Sequence, residues 1–192
     1  MSIPEILNMA FLETDKRIAE ETKSHSGCTA VVSFLQVKHK LVNGKKVSKR
    51  ILYCANAGDA RAVLSRNGKA VRLTYDHKGD DAKEARRIMD SGGFVFNGRV
   101  NGVLAVTRAL GDSTMKQVVI GNPYTTETSL TETDDLLIIA CDGLWDVCSD
   151  QKAVDLISGI PDPTKASQIL VDYAMENTSM DNITVMVVRM HT

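Results

Sequence analysis

The chain has 192 residues, 43% of them hydrophobic, with 23 Lys and Arg against 24 Asp and Glu for a net charge of −1. Such a length suits one domain with a sizeable core, and such a composition excludes a disordered chain. The charge gives no reason to expect nucleic acid or an acidic membrane surface as a partner, and no apolar run approaches the ~20 residues that span a bilayer.

The chain opens on an amphipathic helix. Ile3, Ile6, Leu7, Ala10, Phe11, Thr14 and Ile18 recur at helical spacing, Ser2 and Glu5 have the form of a capping box, and Pro4 is tolerated in the first turn. The first residues lack the charged start and apolar stretch of a signal peptide. Strand-like runs follow at residues 29–35 and 50–56, joined by a basic stretch with Asn43-Gly44 at its centre, a dipeptide suited to a tight hairpin turn. The lysines of this stretch read as a solvated hairpin tip rather than a binding patch. Residues 60–65 and 69–74 form another hairpin around Asn67-Gly68.

A short helix is expected over residues 80–91. Asp80 or Asp81 would cap it, Ala85, Ile88 and Met89 would form its apolar stripe, and Gly92-Gly93 would end it. Short apolar runs occupy 94–96 and 103–106. Residues 136–141 lack polar alternation and read as a strand covered on both faces. Helices are expected over 150–158 and 163–176, the latter with Ala166, Ile169, Leu170 and Tyr173 inward, and an alternating β-branched strand over 183–188. Grouped strands with singly inserted helices indicate an α+β layered fold in a single domain spanning 1–192. Among the cysteines, Cys28, Cys54 and Cys141 sit in or beside strand-like runs and read as small buried hydrophobes, while Cys148 completes a set without CxxC spacing. Neither a zinc site nor a disulfide framework is expected, and a reducing compartment is the default.

The aspartates carry the chemical signal. Asp142 follows the apolar run that ends at Cys141, and Asp146 comes four places later in Asp142-Gly-Leu-Trp-Asp146. Asp181 stands at the entry to the last strand, and Asp59 precedes the strand over 60–65. Carboxylates at strand ends are held rigidly where desolvation is costly unless a cation compensates it. Several carboxylates without a His/Cys cluster suit a hard cation such as Mg²⁺ or Mn²⁺. Spacing alone leaves this open, since most aspartates serve turns and caps.

The blocks Ser26-Gly-Cys-Thr-Ala30, Asn56-Ala-Gly-Asp-Ala-Arg61, Asp76-His-Lys78, Gly98-Arg-Val-Asn-Gly102, Leu104-Ala-Val-Thr-Arg-Ala-Leu-Gly-Asp112, Asp142-Gly-Leu-Trp-Asp146 and Asp181-Asn-Ile-Thr184 stand in that order. Together they resemble the type 2C metal-dependent serine/threonine protein phosphatases, over nearly the whole chain from Ser26 onward. The stretch 73–78 and the ending 173–188 are most similar to fungal members that act on stress-activated MAP kinases. The resemblance implies two packed, mainly antiparallel β-sheets flanked by helices. It implies hydrolysis of phosphoserine and phosphothreonine in proteins by metal-activated water, with no cysteine nucleophile, in cytoplasm or nucleus.

By the same resemblance, Asp142 and Asp181 ligate the first metal of a binuclear Mg²⁺ or Mn²⁺ pair, while Asp146 and Asp59 line a weaker third site. Arg61, Arg99 and Arg108 neutralise neighbouring carboxylates, Asn101 and Asp112 hold loop geometry, His77 is structural, and Trp145 is a packing anchor. The family's opening strands, its phosphate-gripping arginine and its Asp-Gly-His-Gly-Gly block have no counterpart in these residues. The expectation is therefore an N-terminally incomplete domain with unpaired strand edges, an incomplete metal site and little activity by itself. The alternative is a non-catalytic relative that binds phosphorylated kinases.

Overall fold

The computed structural model describes residues 1–22, 25–42 and 45–190, without the side chains of 40, 42, 45 and 46. The turn expected at Asn43-Gly44 lies outside the described residues. Helix α1 (Ile3–Glu21) begins at the expected capping box: the Ser2 N–H donates to Glu5 Oε2 at 2.6 Å, and the Glu5 N–H to Ser2 Oγ at 3.4 Å. Its buried stripe is narrower than the periodicity suggests. Phe11 is buried and Leu7 and Ile18 are partly so, whereas Ile6, Ala10 and Thr14 face outward.

Strand β1 (Gly27–Cys28) is followed by the long strands β2 (Ala30–Val42) and β3 (Lys45–Ala57). Strands β4 (Arg61–Arg66) and β5 (Lys69–Arg72) form the second expected hairpin, with Asn67 and Gly68 both at positive φ (52° and 72°) as a primed turn requires. Helix α2 (Ala82–Asp90) is capped by Asp81 rather than Asp80: its carboxylate accepts from the N–H groups of Lys83 and Glu84, both at 3.0 Å. Ile88 is buried as expected, but Met89 is exposed and Glu84 is buried instead. The short strands β6 (Val95–Phe96), β7 (Arg99–Val100) and β8 (Leu110–Gly111) lead to β9 (Tyr124–Ser129) and β10 (Asp134–Ala140). The one-turn helix α3 (Asp142–Trp145), then α4 (Asp150–Leu156), α5 (Pro163–Glu176) and β11 (Val185–Arg189) complete the chain.

Two compact units emerge. One comprises Met1–Val32, Ala55–Ala60 and Tyr75–Thr125; the other comprises Ser33–Cys54, Arg61–Thr74 and Thr126–Thr192. In the first, α1 packs Phe11 and Ile18 against Ala55, Ala57 and Leu110, and a second cluster gathers Ile88, Val100, Ala109, Val118 and Val119. The second unit is built on an antiparallel sheet ordered β11-β10-β4-β5. Leu136 and Ile138 of β10 pack with Leu144, Trp145, Val154, Ile157, Ala166, Leu170 and Ala174 from the helices. Leu137, of opposite side-chain parity, is also buried, so the strand is covered on both faces as its unbroken apolar run predicts. Another sheet is ordered β2-β3-β9. Antiparallel sheets, with α2 standing alone between strands and α3, α4 and α5 in succession between β10 and β11 rather than singly, make the fold α+β. Among the described residues no helix is long and apolar enough to cross a membrane.

Candidate metal centre

In the second unit, β10 ends at Ala140, paired with Val185 at the start of β11. Beyond that pair the chain segments stay joined. The Cys141 N–H donates to the Thr184 carbonyl at 3.2 Å, the Thr184 N–H donates to Cys141 Sγ at 3.2 Å, and Cys141 Sγ lies 3.2 Å from the Asn182 oxygen. Ser179 Oγ donates to the Gly143 carbonyl at 2.7 Å. A Cβ on Gly143 would lie only 2.2 Å from the Asn182 oxygen, so a side chain there collides with backbone. Gly143 and Asn182 touch, and their chain neighbours are Asp142 and Asp181. Two carboxylates widely separated in sequence are thereby carried on adjoining backbone.

Asp142 is the first residue of α3 and half-buried; Asp181 is exposed, one oxygen accepting the Asn182 N–H at 2.6 Å. Asp146 is exposed at the end of the same helical turn. Trp145 fixes that turn from beneath: its ring is buried and its Nε1 donates to the Ala140 carbonyl at 3.0 Å. The Arg61 guanidinium lies 5.0 Å from the centre of the Trp145 ring and donates to Asp150 Oδ1 at 2.6 Å, while Arg72 holds Asp150 Oδ2 at 2.7 Å. Burial tends to raise the Asp150 carboxyl, but the two arginines outweigh it and hold the group below its ordinary range.

Asp59 belongs to the first unit and is buried, with Lys78 Nζ 3.5 Å from one oxygen. The turn that carries it is tightly made. Asn56 Nδ2 donates to the carbonyls of Tyr75 (2.7 Å), Gly58 (3.1 Å) and Ala60 (3.4 Å), and its Oδ1 accepts the Tyr75 N–H at 3.2 Å. Gly58 adopts φ 98°, and a Cβ there would meet Thr29 Cγ2 at 2.3 Å. His77 is fully buried; its N–H donates to the Gly58 carbonyl at 3.0 Å, and its Nδ1 sits 3.2 Å from the Gly58 N–H. Burial, reinforced by Arg108, pushes its imidazole down to about 4, so the ring is neutral and structural, as expected.

The expected roles of the arginines divide. Arg108 binds Glu84 through Nη2 at 2.5 Å and Nε at 3.0 Å, joined by Arg87 at 3.0 Å and the Thr107 hydroxyl at 2.8 Å. Burial would raise the Glu84 carboxyl; these donors overcome it and bring it to about 2. Arg61 likewise neutralises a carboxylate, that of Asp150. Arg99 departs from the expectation, donating to the Val103 carbonyl at 2.7 Å. Asn101 does hold its loop, accepting the Phe94 N–H at 3.0 Å, and Asp112 sits at a left-handed φ of 49° with its N–H on the Ser26 carbonyl. The cysteines correct one reading: Cys28 is exposed, Cys54 and Cys148 are buried, and Cys141 wedges between the two aspartate segments.

Among the described residues, no three His, Cys, Asp or Glu side chains converge as a metal-binding group. The donor chemistry at Asp142 and Asp181 nevertheless fits one hard divalent cation, because such an ion takes oxygen ligands and often only one or two protein carboxylates, with water completing the shell. Asp150 and Glu84 were not singled out by motif. Glu84 had one signal, since it lies four residues before Ile88 on the buried face of α2.

The protein phosphatase 2C family profile matches residues 3–183. The chain belongs to the protein phosphatase 2C family. It is 48% identical over 190 residues to protein phosphatase 2C homolog 1 of Schizosaccharomyces pombe, covering 98% of this chain and 53% of the relative. It is 47% identical over 191 residues to protein phosphatase 2C homolog 1 of Saccharomyces cerevisiae, covering 97% of this chain and 68% of the relative. The chain thus spans about half to two thirds of the length of these relatives. Its fold is similar to a Caenorhabditis elegans sex-determining protein (TM-score 0.81, 27% identity, 99% of this chain and 47% of that one). A Toxoplasma gondii phosphatase shares the fold at TM-score 0.77 and 24% identity, over 100% of this chain and 77% of that one. Protein phosphatase 2C enzymes are metal-dependent, in general on Mg²⁺ or Mn²⁺.

Proposed function

We propose that this chain carries part of the catalytic machinery of a metal-dependent protein phosphatase that hydrolyses phosphoserine and phosphothreonine, with Asp142 and Asp181 as ligands of one Mg²⁺ or Mn²⁺ ion. The contact between Gly143 and Asn182 carries this reading, because it brings the two aspartate segments together. A divalent cation so placed supplies charge neutralisation for a phosphoryl group and lowers the pKa of a bound water. The protein's own part is orientation. Trp145, held to the Ala140 carbonyl, fixes the turn that presents Asp142. Ser179 and Cys141 tie that turn to the segment presenting Asp181. Asp146 and Asp59, each within its own unit, are proposed as further cation ligands of lower affinity.

With only two carboxylates brought to the junction by the described residues, cation binding by these 192 residues alone is expected to be weak and their turnover low. The natural substrates are phosphorylated proteins, among them stress-activated MAP kinases, in cytoplasm or nucleus. The test replaces the matched stretch of the S. cerevisiae relative with this chain and follows phosphate release from a phosphothreonine peptide. The expected result is Mn²⁺-dependent hydrolysis, stopped by chelation and by Asp142→Asn. A folded chimera that is inactive, or that is indifferent to both, contradicts the proposal.

A further inference from the structure

Charge along the chain is strongly segregated. Residues 22–58 contain Lys23, Lys38, Lys40, Lys45, Lys46, Lys49 and Arg50 and no Asp or Glu, which leaves the other 155 residues at −8 against a chain total of −1. The β2–β3 hairpin carries most of this charge. Three cross-strand contacts share one register: Ser33 Oγ to Cys54 Sγ at 3.2 Å, the Phe34 and Tyr53 rings at 6.3 Å, and His39 Nδ1 to Ser48 Oγ at 2.8 Å. That register sets Lys38 directly opposite Lys49, on one face, with both side chains exposed. Like charges directly opposite destabilise a strand pair. Lys38 Nζ turns instead toward the Tyr53 hydroxyl, at 3.5 Å, and no described carboxylate pairs with either lysine.

We propose that the Lys38–Lys49 face of this hairpin docks an acidic segment of the protein substrate, at a point separate from the phosphorylated residue. Two opposed ammonium groups form a local positive field that a run of carboxylates neutralises, and the hairpin's own repulsion is relieved when it does. A short acidic segment suits the site better than a long polyanion. A nucleic acid or an anionic membrane, reaching beyond the hairpin, also meets carboxylates beside it, such as Glu132 at 3.5 Å from Arg50, and a remainder of the chain at −8. Recognition of this kind raises substrate association without touching the reacting atoms. The substrate assignment rests on the phosphatase reading, but the docking surface can be measured by itself.

The direct measurement is fluorescence anisotropy of a labelled oligoglutamate-containing peptide titrated with the 192-residue chain. Binding should weaken by about tenfold or more in a Lys38→Glu, Lys49→Glu double variant, and by less than about twofold for the exposed Lys165→Glu. It should also fall steeply between about 50 and 200 mM salt. Lys38→Glu alone separates docking from folding, since it sets a carboxylate opposite Lys49. Tm should rise by about 2 °C while peptide affinity falls. In the chimera with the S. cerevisiae relative, a glutamate tail on the phosphothreonine peptide should lower KM and leave kcat unchanged, and Lys38→Glu should erase the difference. Equal peptide binding by wild type and the double variant overturns the proposal. So does tighter binding of single-stranded DNA or phosphatidylserine vesicles through the same lysines. A chimera that hydrolyses neither peptide refutes the phosphatase reading, while the anisotropy result still decides the docking surface.

Discussion

Replacing Gly143 by alanine sets two physical effects against each other at the proposed metal centre. Gly143 lies within α3, where glycine costs roughly 0.5–1 kcal/mol relative to alanine, so backbone propensity alone predicts a more stable protein. The added Cβ would lie 2.2 Å from the Asn182 oxygen and 3.0 Å from its carbonyl carbon, however, and neither is the movable tip of a side chain. Roughly 1 Å of separation has to be recovered by moving backbone. Overpacking of this kind costs about 1–3 kcal/mol, so the mid-range values leave a net loss of about 1 kcal/mol within a span of about 0–2.5 kcal/mol. For a chain of this size a loss of about 1 kcal/mol corresponds to a Tm lower by about 2–4 °C. Because the displaced segments carry Asp142 and Asp181, Mn²⁺ affinity should also fall on the order of tenfold. Thermal unfolding followed by circular dichroism and a Mn²⁺ titration by water-proton relaxation test the two parts. A Gly143→Ala protein as stable as wild type, with unchanged Mn²⁺ binding, refutes the reasoning.

The Glu84 carboxylate, at about 2 in the folded chain against an ordinary 4.5, favours folding fully above pH 4.5, and that contribution is lost as pH falls toward 2. It amounts to about 3 kcal/mol, so Glu84→Gln should be destabilised at pH 7 and should lose this part of the acid dependence, as urea titrations across that window would reveal. Arg61→Ala removes the guanidinium stacked on Trp145, the chain's single tryptophan, and leaves Asp150 to Arg72. It should cost about 2 kcal/mol and shift tryptophan emission to the red; unchanged emission contradicts the packing role given to Arg61.

Much of this arrangement was legible in local sequence. Asn67-Gly68 announced its hairpin because both positions need positive φ, and the apolar run 136–141 announced a strand covered on both faces. The Ser2/Glu5 box located the start of α1 to the residue. Other features depended on partners far along the chain. Strand β9 reads Tyr-Thr-Thr-Glu-Thr-Ser, too polar for periodicity to mark it. Glu84 is buried only because Arg87, Arg108 and Thr107 meet it, and a charged residue on a helix reads as solvent-facing without them. The motif aspartates were visible singly, but the contact that joins the Asp142 and Asp181 segments was not. It is made by a glycine and a backbone carbonyl, about forty residues apart, neither of which has a side-chain signature.

The most direct test of the account is Mn²⁺ binding to the purified chain, read by water-proton relaxation and by the emission of Trp145, which lies between Asp142 and Asp146 in sequence. Asp142→Asn and Asp181→Asn are each predicted to weaken binding by about tenfold or more, since each removes a charged oxygen from the proposed shell. Asp59→Asn should have a smaller effect, and the exposed Asp155→Asn none. Mn²⁺ bound as tightly by Asp142→Asn and Asp181→Asn as by the wild-type chain would contradict the assignment of the junction as a metal centre.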